Sequence, residues 1–313
     1  MIYEIKIATA AEDIIFLEEF HHRFCWLEER GYELTINKSV DEVSGTMLLD
    51  VGLYGHIKST LFKEKDIVYI FKHQMSEFLA EHVVRDWEVR LLRREICKRQ
   101  RQIHIPDREI IYVKAADFLK RCNNNESLNL LMNYGRKNRI SHRILDYLFS
   151  QDTLLIEGFI NFCMQDYLTE IRFAVDLACE ELKNEKEYNE FVKLLRYFVD
   201  TQTSRVQEVN VLMENNSFVL WDGKGIAIEE EFLDYYMDDL LYNDISLDDI
   251  LISILITVVP RKIVLHNLQK TGENESVRMI RNVFGDRIVE CRGCERCFSY
   301  QKTHEADPIQ PNR

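Results

Sequence analysis

The sequence predicts a mostly helical α+β fold, with a central helical bundle between two smaller units. These units are an N-terminal β-α-β-β unit and a C-terminal hairpin with an α/β layer. Only 4 prolines and 11 glycines interrupt the 313 residues, which favours long helices. Apolar residues recur at three- and four-residue steps through the middle of the chain. Apolar and polar residues alternate near both ends, as is typical of half-buried strands.

The first predicted unit, residues 1–63, begins with a strand where IYEIKIA alternates over Ile2–Ala8. Thr9 and Glu12 have the spacing of a capping box, so a helix is expected next. Gly31 stands where a helix ends in a left-handed cap. The sequence leaves open whether strands from the far end of the chain join this sheet. The two remaining strands are predicted over Tyr32–Ile36 and Thr46–Leu53.

The second predicted region, residues 64–204, is helical. Its first long apolar pattern runs without glycine or proline to about Arg101, and Pro106 marks a break. A second helix is predicted up to Cys122, followed by shorter helices before Gly135. The three longer helices are predicted over Lys65–Arg101, Asp107–Cys122 and Asn138–Ser150.

The stretch from about Thr153 to Lys224 is predicted to be the centre of the molecule, with a long helix, a second helix over Glu187–Asp200 and a β-hairpin over Arg205–Asp222. A long helix is followed by a short polar link and a second helix, and such neighbours are expected to pack as an antiparallel pair. Burial at roughly 1.5–3 kcal/mol per large apolar side chain would make the pair the main stabilising layer. The first apolar seam comprises Ile160, Met164, Tyr167, Ile171, Ala174, Ala178 and Leu182. The second comprises Tyr188, Phe191, Val192, Leu195, Phe198 and Val199.

The third predicted region, residues 205–313, starts with a β-hairpin around Asn215-Asn216. An acidic helix is predicted over Glu229–Asn243, and Ser246 is predicted to cap the helix after it. A strand, helix and strand then favour a small layer with a parallel pair. The chain is expected to end in a flexible tail after Tyr300. The final elements are predicted over Arg261–His266, Glu273–Phe284 and Arg287–Glu290.

Composition indicates a cytoplasmic protein with no membrane span. The net charge of −13 argues against non-specific binding to nucleic acid or anionic lipid. Met1 leads straight into a strand pattern and not into a secretory signal. The longest aliphatic run, Ile250–Val259, is about half of what a spanning helix needs. Five isolated cysteines are predicted to be small buried thiols: Cys25, Cys97, Cys122, Cys163 and Cys179.

The motif CRGCERC predicts a metal site at Cys291, Cys294 and Cys297. Two-residue gaps let successive thiolates converge on one tetrahedral ion, and Gly293 eases the turn. His304 is predicted as the fourth ligand, and His266 is the alternative if the strands bring it close. Zinc is favoured over an iron–sulfur cluster, because the fourth cysteine of a ferredoxin-type run is missing. The competing interpretation is three free thiols.

Two charged regions have weaker functional interpretations. A basic helix end is interpreted as a solvated surface, and the alternative is a phosphate-binding face. Acidic residues between Glu229 and Asp249 lie around helical faces, which favours a solvated surface over magnesium binding. The adjacent pair His21-His22 points in two directions, which disfavours joint ligation. The basic residues are Arg90, Arg93, Arg94, Lys98, Arg99 and Arg101.

The order ELKNEKEYNEFVKLLRYFVDTQ, a hairpin, LISILITVVPRKIVLHN and a final CxGCxxC resembles the YtxC family of sporulation proteins in endospore-forming Firmicutes. The similarity covers about Leu155 to Cys297. The resemblance implies a link to sporulation and a bacterial cytoplasm. It implies no established activity, so no catalytic residue is transferred from it.

The sequence contains no GxGxxG, phosphate-binding loop, HExxH or GxSxG motif. It therefore favours a non-enzymatic, sporulation-associated protein that binds a protein partner and carries a C-terminal metal site. One alternative is an enzyme that uses the clustered cysteines in metal or redox chemistry. A further alternative is nucleic-acid binding through the basic helix.

Overall fold

A computed structural model describes residues 1–10, 14–41, 45–55, 63–120, 126–213, 218–228, 247–266 and 275–297. The chain divides into two compact units, Met1–Lys183 and Asn184–Arg313. Each unit has its own four-stranded sheet and its own apolar core. The predicted class, a mostly helical α+β protein, is confirmed. The division into three regions stays a prediction.

The sheet of the first unit has the strand order β2-β3-β1-β4. Strand β3 pairs antiparallel with both β1 and β2, and β4 pairs parallel with β1. The predicted β-α-β-β order and the left-handed Gly31, with φ of 82°, are confirmed. The bounds are Tyr3–Ala10 for β1, Ile14–Glu29 for helix α1, Tyr32–Asp41 for β2, Thr46–Gly55 for β3 and Thr153–Leu155 for β4.

Strand β4 corrects the prediction that a helix begins at Thr153. Its three residues pair with Lys6, Ile7 and Ala8 of β1, more than 140 positions earlier in the chain. A strand of three residues is too short to show a periodicity. Its pairing with the distant strand β1 stabilises it.

Most of the other described residues of the first unit are helical. A five-residue π-helical turn interrupts the first long pattern at Val83–Trp87. Gly135 does not separate two helices as predicted, because one helix of 25 residues runs through it. The bounds are Glu64–His82 for α2, Glu88–Lys98 for α3, Asp107–Lys120 for α4, Glu126–Ser150 for α5, Ile156–Cys163 for α6 and Gln165–Thr201 for α7.

The core of the first unit joins the sheet to these helices. Phe20 and Phe24 of α1 lie with ring centroids 4.6 Å apart, and Phe71 of α2 lies 5.2 Å from Phe24. All three rings are at most 1% exposed. The first predicted seam is confirmed, because each of its residues from Ile160 to Leu182 is buried.

The predicted antiparallel pair is wrong, because α7 is one helix of 37 residues. Its residues up to Lys183 belong to the first unit and those from Asn184 to the second. The polar residues 183–187 between the seams are good helix formers except Asn184, and none is glycine or proline. Polarity alone therefore does not end the helix.

The second predicted seam is only partly buried. Val192 and Val199 are 9% and 0% exposed, whereas Phe191 and Phe198 are 52% and 48% exposed. Leu195 is half-buried against the core of the second unit. The prediction that Phe191 and Phe198 belong to the core is therefore wrong, and they lie on a neighbouring exposed face of the helix.

The sheet of the second unit has the order β6-β5-β7-β8. Strands β5 and β6 form the predicted antiparallel hairpin, and β7 pairs parallel with β5 and β8. The N-terminal and C-terminal strands thus form separate sheets within the described residues. The bounds are Glu208–Met213 for β5, Phe218–Asp222 for β6, Leu247–Val258 for α8, Lys262–His266 for β7, Glu275–Phe284 for α9 and Ile288–Glu290 for β8.

Several sequence predictions lie outside the described residues. They are the acidic helix over Glu229–Asn243, the cap at Ser246, the hairpin turn at Asn215-Asn216 and the tail after Tyr300. Of the helices that are described, none combines the length and the apolar character that crossing a bilayer requires.

Candidate metal centre

The candidate metal centre begins where β7 and β8 end. These strands are parallel, and Leu265 is paired with Glu290. The backbone N–H of Cys291 extends this pairing by donating to the carbonyl of Leu265 at 2.8 Å. His266 and Cys291 therefore leave the same edge of the sheet side by side, because the carboxyl ends of parallel strands meet there.

A tight turn brings the other two cysteines back to this edge. Gly293 adopts φ of 113°, a conformation that favours glycine over residues with a side chain. Its backbone N–H donates to Sγ of Cys291 at 3.4 Å, which closes the turn around that sulfur. One short helical turn at residues 295–297 then places Cys297 inside the cluster, where it is 6% exposed.

His266, Cys291, Cys294 and Cys297 converge on one point. Nδ1 of His266 lies 3.3 Å from Sγ of Cys297 and 3.6 Å from Sγ of Cys294. Sγ of Cys297 lies 3.9 Å from that of Cys291 and 3.6 Å from that of Cys294. All four donor atoms lie within 4.8 Å of one another. These residues could therefore hold one metal ion.

The four separations that involve Cys297 or join His266 to Cys294 are close to the edges of a small tetrahedron, and the remaining two are within 4.8 Å. With a Zn–S distance of about 2.3 Å and a Zn–N distance of about 2.05 Å, a tetrahedral ion sets S–S edges of about 3.8 Å and S–N edges of about 3.6 Å. The sulfurs are too far apart for a disulfide, which needs about 2.05 Å. The three cysteines are therefore not joined by disulfides.

Local environments change the proton affinities of the donors. Burial raises the pKa of Cys297 to about 11, with a contribution from the neighbouring sulfurs. Burial also acts to raise the pKa of Cys294, but hydrogen bonds from the backbone and side chain of Cys297 lower it overall. Burial and the positive charge of Arg296 lower the pKa of His266. This shift favours the neutral imidazole, which is the form that binds a metal.

Side chains of the hairpin contact one edge and one face of His266, and Arg296 lies next to them. The indole of Trp221 lies 5.0 Å from the imidazole, measured between ring centroids. The guanidinium of Arg296 lies over the same indole at 5.1 Å. Nε2 of His266 lies 3.1 Å from Oδ1 of Asn210, which is 8% exposed. The imidazole is thus held on one edge and covered on one face.

The structure brings together the three cysteines that the motif predicts. The fourth nearby donor is His266, which the sequence offered as the alternative, and the predicted ligand His304 lies outside the described residues. Asn210 was missed by sequence reasoning. Its signal is a polar residue inside the apolar strand VNVLM.

The isolated cysteines do not form a second group of this kind. Cys25, Cys97 and Cys163 are exposed and Cys179 is half-buried, so the prediction of small buried thiols is wrong for the first three. Cys122 lies outside the described residues. His21 and His22 are both exposed on α1. Histidine, cysteine and acidic side chains of the described residues come close enough to hold a metal in one group, His266 with the three clustered cysteines.

The basic helix end is extensively paired within the first unit. Arg93 lies 3.5 Å from Glu109, and Arg94 lies 3.3 Å from Glu157. Further contacts of this helix include Lys98 with Glu95 at 3.1 Å, Arg99 with Glu95 and Asp176, and Arg90 over the ring of Trp87. These internal partners support the interpretation as a solvated surface over a phosphate-binding face.

Two cavities of about 420 and 330 Å³ lie in the first unit and share Asn161 in their linings. The larger lies beside Thr9, Trp87 and Gly158, and the smaller beside Arg94 and Lys98. Glu88 is a buried carboxylate that lines neither cavity. Its carboxylate binds Arg136 and Tyr167 in the helical core. Its contacts are those of a structural ion pair.

Fold and site together define an α+β protein whose C-terminal sheet carries a compact cluster of three cysteines and one histidine. The chain belongs to the YtxC-like family, whose model matches residues 73–289. That match includes His266 and ends two residues before Cys291. The membership confirms the family that the sequence resembles.

A curated relative is the "Uncharacterized protein YtxC" of Bacillus subtilis (strain 168), which is 28% identical over 155 residues. The alignment covers 49% of this chain and 53% of the relative, so the chain spans about half the length of the relative it matches. No solved structure matches.

Proposed function

We propose that the second unit binds one structural zinc ion through His266, Cys291, Cys294 and Cys297. The observation that carries the proposal is the convergence of four donor atoms within 4.8 Å. Four protein ligands would complete a tetrahedral shell and leave no open position for substrate, which is typical of structural sites and not of catalytic ones. When bound, zinc would supply a cross-link between the edge of the sheet and the turn that follows β8.

Zinc fits the donor set better than the alternatives. Three thiolates and one imidazole are the soft donors that zinc takes in structural sites. The ligands of an iron–sulfur cluster bind separate irons, whereas these four donors surround a single point. Three thiolates around Zn²⁺ carry one net negative charge, and Arg296 is close enough to lower the pKa of His266 through its charge. This cation would partly offset that negative charge.

Metal analysis of protein purified anaerobically under reducing conditions tests this proposal. We expect one zinc per chain in the wild type, and a loss of stoichiometric zinc in Cys294→Ser. Cys97→Ser is the matched control, because Cys97 is an exposed thiol outside the cluster. A wild-type protein without stoichiometric zinc would overturn the proposal, and stoichiometric iron would favour the enzymatic alternative.

We further propose that the protein acts in the cytoplasm of sporulating cells as a non-enzymatic binding protein. An exposed apolar face on α7 supports the binding role. This face comprises Phe191, Leu194, Tyr197 and Phe198, which are 52%, 67%, 70% and 48% exposed. Residues 191, 194 and 198 have the i, i+3 and i+7 spacing with which a helix enters an apolar groove of a partner.

Site-specific photo-cross-linking in sporulating cells tests the partner. A cross-linking residue at Leu194 is expected to capture a protein that the same residue at Lys193, on the exposed polar side, does not capture. The captured protein, once purified, should bind the wild type at least about tenfold more tightly than Leu194→Ser. Capture from both positions would contradict the proposal. A homodimer lost in Leu194→Ser would reassign the face to self-association.

A further inference from the structure

We infer that Asn210 is a positioning residue that makes Nδ1, and not Nε2, the ligand atom of His266. The inference rests on the proposed zinc centre and deepens it. The two ring nitrogens have different neighbours, since Nδ1 faces the sulfurs of Cys294 and Cys297 while Nε2 faces the amide of Asn210. The atom that binds metal is therefore decided by what Asn210 offers to the ring.

The orientation of the Asn210 amide follows from its other contacts. Its Nδ2 donates to Oε1 of Glu208 at 3.3 Å and to the backbone carbonyl of Asp222 at 3.4 Å. Both partners accept hydrogen bonds, so the NH₂ group must point towards them. The oxygen, Oδ1, is left to face Nε2 of His266 at 3.1 Å.

A carbonyl oxygen only accepts, so Nε2 must carry the proton of the neutral ring. The lone pair then lies on Nδ1, 3.3 Å from Sγ of Cys297. An acceptor that takes a hydrogen bond from the other ring nitrogen fixes a histidine ligand in this way and raises its basicity. Asn210 and His266 are 8% and 5% exposed, so water has little access to replace this acceptor.

The sheet register explains why Asn210 reaches this position. Asn210 of β5 is paired with Val264 of β7. Val264 and His266 are two residues apart, so their side chains project from the same face of the sheet. Glu208 is fixed in turn by Lys262, whose Nζ lies 2.7 Å from Oε2. The chain of contacts from Lys262 to His266 therefore crosses two neighbouring strands.

Zinc affinity and the tautomer of His266 test the inference. We expect Asn210→Leu to weaken zinc binding by about 10- to 100-fold in competition with a chromophoric chelator. The double variant Asn210→Asp with Glu208→Gln restores an acceptor at Nε2 and avoids two facing carboxylates, so it should bind zinc within about threefold of the wild type. Ser276→Ala, another buried polar position of this unit, should leave the affinity unchanged.

Nitrogen-15 NMR of the zinc-loaded wild type gives a readout that stability alone does not change. Nε2 should carry the proton, and Nδ1 should show the shift of a metal-bound nitrogen. A metal-bound Nε2, or equal zinc affinity in folded Asn210→Leu, would overturn the inference even if zinc binds. A wild type that binds no zinc would instead overturn the proposed zinc centre, so the two failures are distinguishable.

Discussion

Removing the carboxylate of Glu88 should destabilise the first unit strongly. Oε2 of Glu88 accepts from Nη1 of Arg136 at 3.2 Å and from the hydroxyl of Tyr167 at 2.9 Å. The side chains of Glu88 and Arg136 are each 7% exposed, so this ion pair lies out of water. In Glu88→Ala the buried guanidinium loses that carboxylate but keeps a second one, because its Nε lies 3.6 Å from Oε2 of Glu170. Leaving a buried charge with no partner costs about 3–5 kcal/mol, so the cost here should be about 2–4 kcal/mol.

A double variant separates the loss of the pair from the loss of packing. Replacing Glu88 by Leu and Arg136 by Met removes both charges and keeps much of the apolar volume. Apolar replacements of buried pairs are often neutral or stabilising, so the double variant should be more stable than Glu88→Ala. The hydroxyl of Tyr167 and the carbonyl of Leu119, which accepts from Arg136, each lose a partner in the double variant, so it should remain less stable than the wild type.

Urea unfolding followed by tryptophan fluorescence measures these differences. Trp26 and Trp87 lie in the first unit and Trp221 lies in the second, so a Trp221→Phe background reports on the first unit. A cost below about 1 kcal/mol for Glu88→Ala would refute the reasoning, because removing one partner of a buried charged group should cost more than that. A double variant less stable than Glu88→Ala would also refute it.

Three further predictions follow from single contacts. Burial raises the pKa of Glu88 against the opposing charge of Arg136, so the folded chain holds this proton to a higher pH than the unfolded chain does. Stability should therefore fall as pH rises from the ordinary carboxyl pKa through the raised one. Replacing Glu88 by Gln should remove that pH dependence, and an unchanged pH profile would contradict this. Gly135→Ala should stabilise α5 by about 0.5–1 kcal/mol, because nothing lies within 4 Å of the added Cβ. Gly52→Ala is the contrasting variant and should destabilise by about 1–3 kcal/mol, because its Cβ would lie 2.6 Å from the ring of Tyr54. Thermal melts of both variants check this pair, and shifts of the same sign would contradict it. Ile171→Ala should cost about 2–5 kcal/mol because Ile171 is 2% exposed, whereas Phe191→Ala, on the exposed face of the same helix, should cost less than about 1 kcal/mol. Equal costs in urea unfolding would show that the exposed face contributes to the core.

The sequence by itself determined the elements that have a period or a local signal. The alternation at Tyr3–Ala10 and the turn at Gly31 predicted the first strand and the first helix end. The hairpin followed from two alternating runs separated by turn residues, and the parallel pair of β7 and β8 followed from the strand-helix-strand order. Three members of the candidate metal centre were predicted from cysteine spacing alone, because sulfurs at such short spacing can meet without help from the rest of the fold.

Other features of the fold depended on residues far apart in the chain. Strand β4 exists because Thr153–Leu155 pairs with β1, and three residues carry no period that a sequence could reveal. The length of α7 was misjudged because its polar middle resembled a link, although polarity decides exposure and not helix ends. Which side of that helix is buried was set by the core it meets, so Val199 is covered and Phe198 is not.

The position of the last donor of the candidate metal centre also depended on the tertiary structure. His266 is 25 positions from Cys291 in the sequence, and parallel pairing places them at one edge. Asn210 comes from a third segment, fixed by its register against Val264. Sequence patterns record short-range periodicity and spacing. The meeting of these side chains depends on strand order and register, which only the packed sheet specifies.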